Sequence, residues 1–387
     1  MARFTKINQR FFELERKIIM KKKIMTLLLA LTMILSLALT LTGCTTEEAS
    51  SSDGAASTQA ETASVEEAEE TAEEPTEEPQ ELVDMTLQLK WLPQSQFMGY
   101  YVAQEKGYYE DEGINIEILP GGSDIIPEQQ VYNGVADVGV TWVSSLLKYQ
   151  SQGWELVHVG QPFQKSAMLL VSKAEAGIES PADLAGKKVS NWFGGNEYEI
   201  LALLESNGLT PGEDLELVQQ DFTMNQLMND EVDAASAMTY NEYGLLLGAG
   251  YTNDELNVLD MNDEGVAMLQ DCLFVSEEWI AENEDLYVRF LRASIKGWAD
   301  ASANPDAAGE VVYNVDQSVS KEHQIYMAGE IAKLVVPEGF DPANIGYTDM
   351  EAMQQTADLA LEYGLLSEEA DLSEAFVNIS YWESATK

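Results

Sequence analysis

Histidine and cysteine are nearly missing from this 387-residue chain, which has two of each: His158, His323, Cys44 and Cys272. That is too few for a His/Cys zinc site, an iron–sulfur cluster or a disulfide framework. Cationic side chains are also scarce, 21 Lys and Arg against 67 Asp and Glu, for a formal net charge of −46. A surface so poor in cations cannot neutralise a phosphate backbone, so nucleic acid is excluded as a partner. Between residues 44 and 288 there is no arginine at all; Arg289 and Arg292 come later. The bidentate guanidinium that commonly holds a sulfonate, phosphate or carboxylate is therefore missing from that span. Apolar residues, by contrast, make up 45% of the chain, and at this length they can build two or three folding units.

One long apolar run is present. Lys21, Lys22 and Lys23 precede an uncharged stretch over 24–41 that ends in Leu41-Thr42-Gly43-Cys44. A basic segment, an apolar segment and small residues before a cleavage point make a secretory signal. The ending resembles the bacterial lipobox, whose cysteine is lipidated and becomes the new N-terminus. The expectation is a signal peptide over 1–43, with Met20 as an alternative start, and lipidation at Cys44. Residues 45–84 contain no Lys or Arg and fourteen Asp and Glu, so 44–84 reads as the lipidated cysteine and a disordered acidic tether. Cys272 then stands alone and reads as a small buried apolar side chain.

From Met85 onward short apolar strands alternate with helices. Strands are expected over 86–90, 114–119, 138–141 and 188–192, and helices over 97–107 and 142–152. Beyond Ser276 the pattern is nearly all helical, with helices near 277–302, 305–315, 320–334 and 349–364. Alternation of this kind means α/β units. An internal echo divides them. Asp137 is followed by a small-residue strand, Thr141, Trp142 and a helix; Asp233 by a small-residue strand, Thr239, Tyr240 and a helix. The two readings are chance likeness between βα units, or two lobes that each present a Thr and an aromatic ring at the carboxyl end of a strand, where open α/β sheets bind ligands.

Several further strings point one way: Trp91-Leu92-Pro93, Gly99-Tyr100-Tyr101-Val102-Ala103, Lys106-Gly107-Tyr108-Tyr109, Gly122-Ser123-Asp124, Ala136-Asp137-Val138-Gly139 and Pro181-Ala182-Asp183-Leu184. Together, over about 86–300, they resemble the thiamine-pyrimidine-synthase-like substrate-binding proteins. The resemblance implies an α/β, two-lobed type II periplasmic-binding-protein fold with a central cleft, in the extracytoplasmic receptor of an ABC importer. The implied partners are an ABC permease and ATPase, the membrane through the lipid anchor, and a small heteroaromatic ligand such as a thiamine-pyrimidine precursor or riboflavin; sulfonate or taurine is the other ligand class. The receptor is expected to be a monomer without cofactor. Lobe boundaries are placed at 85–175, 176–270 and 271–387, with hinge strands near 165–178 and 268–276. The same family includes enzymes that make the pyrimidine from PLP and a histidine side chain with iron. Their lysine, histidine and cysteine-rich run are not matched here, where Thr141 and Ser145 stand nearest after Gly139, so an enzyme is the second reading.

The aromatic supply fits a flat ligand, because rings stack and need only a few oriented polar groups for register. The candidates are Trp91, Tyr101, Trp142, Trp192 and Tyr240, with Thr141. Gly194-Gly195-Asn196-Glu197 adds a glycine turn into a helix, read either as a capping box formed by Asn196 and Glu199 or as a row of open backbone N–H donors beside Glu197. Asn241 and Glu242 open the helix after Tyr240 and can bond a ring edge. Asp137 and Asp233 are expected to stabilise their turns.

Overall fold

The computed structural model describes residues 82–193 and 195–387. Cys44, the signal peptide and the tether up to residue 81 lie outside the described residues, as does Gly194; the expected tether end at 84 is corrected, because Val83 and Asp84 already pair with the second strand as the start of the first. The first lobe begins with β1 (Val83–Gln88), α1 (Met98–Glu105), α2 (Tyr108–Asp111), β2 (Ile114–Leu119), α3 (Pro127–Tyr132), β3 (Val138–Thr141), α4 (Val143–Ser151) and β4 (Leu156–Gly160). The second contains β5 (Met168–Lys173), β6 (Lys188–Asn191), α5 (Tyr198–Ser206), β7 (Glu216–Gln219), α6 (Asn225–Met228), β8 (Ala234–Met238), α7 (Glu242–Gly248) and β9 (Leu256–Asp260). The chain then returns through β10 (Cys272–Ser276) into α8 (Glu277–Ala303), α9 (Pro305–Val315), α10 (Lys321–Val335), α11 (Met350–Glu362) and α12 (Ser380–Ala385).

Two five-stranded sheets result, ordered β2-β1-β3-β10-β4 and β7-β6-β8-β5-β9. In each, one strand runs antiparallel to both neighbours, and it is the strand that has crossed from the other side: β10 between β3 and β4, β5 between β8 and β9. The expected boundary at 175 is corrected by this pairing. Met168–Lys173 is bonded along its length to β8 and β9, so the crossing precedes it at 161–167, and the return occupies 261–271. The expected hinge ranges overlap those segments but run on into β5 and β10.

The echo in the sequence has a common physical basis. Asp137 Oδ2 accepts from the backbone N–H (2.8 Å) and the hydroxyl (2.7 Å) of Thr86, tying β3 to β1. Asp233 Oδ2 accepts from the Lys188 N–H at 2.8 Å, tying β8 to β6. Each aspartate precedes a strand buried throughout, and each sheet thereby satisfies a backbone donor at its amino end.

The C-terminal helices pack against elements of both lobes. Gly99 on α1 and Gly297 on α8 let these helices touch: a Cβ at Gly99 would lie 2.0 Å from the Trp298 ring, and one at Gly297 would lie 2.2 Å from the Gly99 carbonyl. Helix α10 reaches both lobes. The Ser95 N–H donates to Gln324 Oε1 and its hydroxyl to the Gln324 carbonyl, both at 2.8 Å. On the other side the Tyr326 hydroxyl donates to the Thr239 carbonyl at 2.9 Å.

Candidate functional site

Strand carboxyl ends from both sheets converge on one cleft. Its inner part, about 40 Å³, is walled by Lys90, Trp91 and Trp142 of the first lobe and by Trp192, Tyr240 and Asn241 of the second. A larger chamber of about 510 Å³ adjoins it and shares Lys90, Trp91, Trp192 and Asn196. That volume lies in the range of small-molecule sites, and pockets of this kind occur where α/β strands end.

Trp142 follows β3 directly and is nearly buried. Its indole Nε1 donates to Asp271 Oδ1 at 2.9 Å, and Gln96 Nε2 donates to Asp271 Oδ2 at 2.8 Å. Burial pushes the Asp271 carboxyl up to about 6, against the stabilising donors and the charge of Lys90. The Lys90 ammonium lies 4.9 Å from the Trp142 ring centroid. Tyr240 occupies the corresponding place after β8, also buried. Trp91 meets Phe222 of the opposite lobe edge to face, with centroids 5.4 Å apart. Trp192 is oriented by its Nε1 donating to the Asp221 carbonyl at 3.0 Å.

The turn after β6 departs from the capping-box reading and spends part of the N–H row of the other. The Phe193 N–H donates to Asn191 Oδ1 (2.8 Å), the Gly195 N–H to Glu197 Oε2 (2.8 Å), and Asn196 Nδ2 to the Phe193 carbonyl (2.9 Å). One of the expected open donors, the Gly195 N–H, is thus spent inside the loop. The N-cap of α5 is Glu197 rather than Asn196, with no side-chain cap. Glu199 makes no capping box; it turns inward and accepts from the Met268 N–H and Gln270 Nε2, each at 2.9 Å, on the returning segment. Burial pushes its carboxyl up to about 7. Phe193 has φ of 58°, unusual for a bulky side chain. Gly195 has φ of +100°, and a Cβ there would come 2.6 Å from the Ser145 hydroxyl of the first lobe. Lys148 Nζ also spans the cleft to the Tyr198 hydroxyl at 2.9 Å.

Asn241 and Glu242 form a closed network at the inner wall. Asn241 Nδ2 donates to Glu242 Oε1 (2.9 Å), Glu242 Oε2 accepts from the Met238 N–H (3.0 Å), and Asn241 Oδ1 pairs with His323 Nε2 (2.8 Å). Burial raises Glu242 to about 7.

The structure therefore brings Trp91, Trp142, Trp192, Asn196, Tyr240, Asn241 and Glu242 to the inner cavity, with Gly195 and Glu197 on the larger chamber. Two candidates fall elsewhere. Tyr101 is core, 4% exposed on α1, a helix that packs against α8 and α9. Thr141 is fully buried and donates to Glu128 Oε1 at 2.6 Å, behind the wall that Glu128 itself forms. Residues missed from sequence include Lys90, Gln94, Gln96 and Asp271. Lys90 left a signal, a lysine at the carboxyl end of a strand in a chain so poor in cations. Asp271 left none, since its partners Gln96 and Trp142 are distant in sequence.

A family model described as NMT1/THI5 like matches residues 94–308. A riboflavin-binding protein, RibY, of Chloroflexus aurantiacus is 30% identical over 314 residues, 77% of this chain and 86% of the relative. A formylaminopyrimidine-binding protein of Halalkalibacterium halodurans is 25% identical over 60% of this chain and 71% of the relative. The crystal structure of the periplasmic aliphatic sulphonate binding protein SsuA from Escherichia coli matches with a TM-score of 0.60 at 19% identity, over 76% of this chain and 91% of that one. This likeness is one of fold, and the architecture is the two-lobed α/β fold of periplasmic binding proteins. With more than half its length matched by the family model and most of the RibY relative covered, the chain belongs to the NMT1/THI5-like family.

Proposed function

We propose that the protein is the extracytoplasmic solute-binding lipoprotein of an ABC importer, and that it captures a flat heteroaromatic, vitamin-related ligand in the cleft between its lobes. The observation that carries this reading is the inner cavity itself, where Trp91, Trp142, Trp192 and Tyr240 arrive from both lobes and no arginine does. Stacking in such a slot captures a ring by area and shape, and closure of the lobes around 161–167 and 261–271 sequesters it. The names of the RibY relative and the formylaminopyrimidine-binding relative support the same ligand class. Lipidation at Cys44 holds the receptor at the membrane face, where a permease and ATPase take over the ligand. The protein works as a monomer and performs no turnover.

The test is titration at low and high salt with riboflavin, thiamine-pyrimidine precursors, taurine and an alkanesulfonate, following tryptophan fluorescence. The expected result is quenching by the aromatic compounds that salt hardly changes. Salt-sensitive binding of a sulfonate alone would overturn the ligand class. For the anchor, Cys44→Ala should abolish lipid labelling and leave ligand binding intact.

A further inference from the structure

Lys90 is the unusual group in the cleft. It sits two residues beyond β1, only 9% exposed, on the wall of both cavities. Among the described residues its ammonium has no carboxylate within ion-pair distance. Asp271, whose charge it feels, is already engaged by Trp142 and Gln96. The ammonium rests over the Trp142 ring, an interaction that orients the charge without consuming its N–H bonds.

The other polar groups of the inner cavity are mostly spent on one another. Gln96 donates to Asp271 and accepts from Gln94, and Asn241 is held by Glu242 and His323. An ammonium at the cavity wall whose donors meet no protein acceptor is open to a ligand that supplies acceptors. We infer that Lys90 is the specificity-determining residue of the cleft, and that it selects flat ligands whose edge carries carbonyl oxygens, as in the dione ring of flavins and lumazines, over aminopyrimidines. An amino group set against the ammonium would meet donor with donor, whereas two carbonyls accept from it while the ring lies against the indoles.

This inference rests on the heteroaromatic reading above and narrows it, and the experiment separates the two. Riboflavin, lumichrome and 4-amino-5-hydroxymethyl-2-methylpyrimidine are titrated into the purified chain and into its Lys90→Met, Lys90→Gln and Lys90→Arg variants, with thermal melting as the folding control. Wild type should bind both dione compounds at least tenfold more tightly than the aminopyrimidine. Lys90→Met and Lys90→Gln should lose tenfold or more for the diones and less than twofold for the aminopyrimidine, while Lys90→Arg keeps the preference. Equal losses for all three compounds, or none, would overturn the role of Lys90 and leave the heteroaromatic reading standing. Tighter wild-type binding of the aminopyrimidine would do the same. Wild type that binds none of the three brings down the reading of the cleft, and this inference with it.

Discussion

The two lobes share a strand order and an aspartate clamp, yet they bring different chemistry to the cleft. The first contributes a cation, Lys90, beside two indoles; the second contributes Trp192, Tyr240 and an amide–carboxyl network with no cation among the wall residues of the inner cavity. Strand order depends on apolar runs and backbone pairing, which tolerate many side chains, so the frame can recur while the wall residues diverge. Even the clamps are unequal. Asp137 accepts from both the N–H and the hydroxyl of Thr86, while Asp233 takes one backbone donor from Lys188.

The comparison can be broken most sharply at the rings. Trp142→Ala should weaken binding of a flat ligand by about 1–3 kcal/mol, the scale of stacking on an aromatic side chain. Tyr240→Ala should cost a similar amount in titration calorimetry if the two lobes grip the ligand equally; a loss confined to Trp142 would make the first lobe the binding platform. The clamps come next. Asp137→Ala should destabilise the fold by about 1.5–3 kcal/mol and Asp233→Ala by about 1 kcal/mol, measured by urea denaturation, because a charged acceptor with two donors is lost in one case and with one in the other. Equal costs would mean that the hydroxyl of Thr86 contributes nothing.

Gly195→Ala tests the approach of one lobe to the other. A methyl group there strains a backbone at φ +100° and meets Ser145, so affinity should fall about tenfold, about 1.4 kcal/mol. Unchanged affinity would show that the ligand is bound without this contact. The pH dependence follows from buried carboxyls on the second lobe and the return segment. Glu199 and Glu242 are raised to about 7 and Asp271 to about 6. The folded chain therefore keeps protons that the unfolded chain releases above its ordinary carboxylate range, and stability should fall as pH rises from about 5 to about 7. His158, lowered to about 4 by burial, acts in the opposite sense below about 6.5. The melting temperature should be higher at pH 6 than at pH 8, and Glu199→Gln should flatten the slope. The smallest effect is expected at Tyr101→Phe, which should leave ligand affinity within twofold because the side chain belongs to the core.

Much of the frame was legible because it is written in local patterns. The strands 114–119 and 138–141 and the helix 305–315 fall where alternation and periodicity put them. The matched Asp–strand–aromatic units placed Trp142 and Tyr240 at one cavity. The sequence could not say that 168–173 pairs within the second sheet, since an apolar strand reads alike in either. Nor could it direct Glu199 inward: Asn196 and Glu199 have the spacing of a capping box, but burial against Met268 and Gln270 claims the carboxyl first. Tyr100 and Tyr101 are adjacent on a helix, and both found cover because α1 is flanked on more than one side.

The exchanged strands also order the assembly of the molecule in time. A chain emerging amino end first presents β1 to β4 early, but β10, which fills the gap between β3 and β4, arrives only at Cys272–Ser276. Until then two strands face an empty slot with unpaired backbone edges. The second sheet needs only residues 168–260, one continuous stretch. The half that emerges later can therefore finish first, and the earlier half must stay unjoined until its neighbour returns the missing strand.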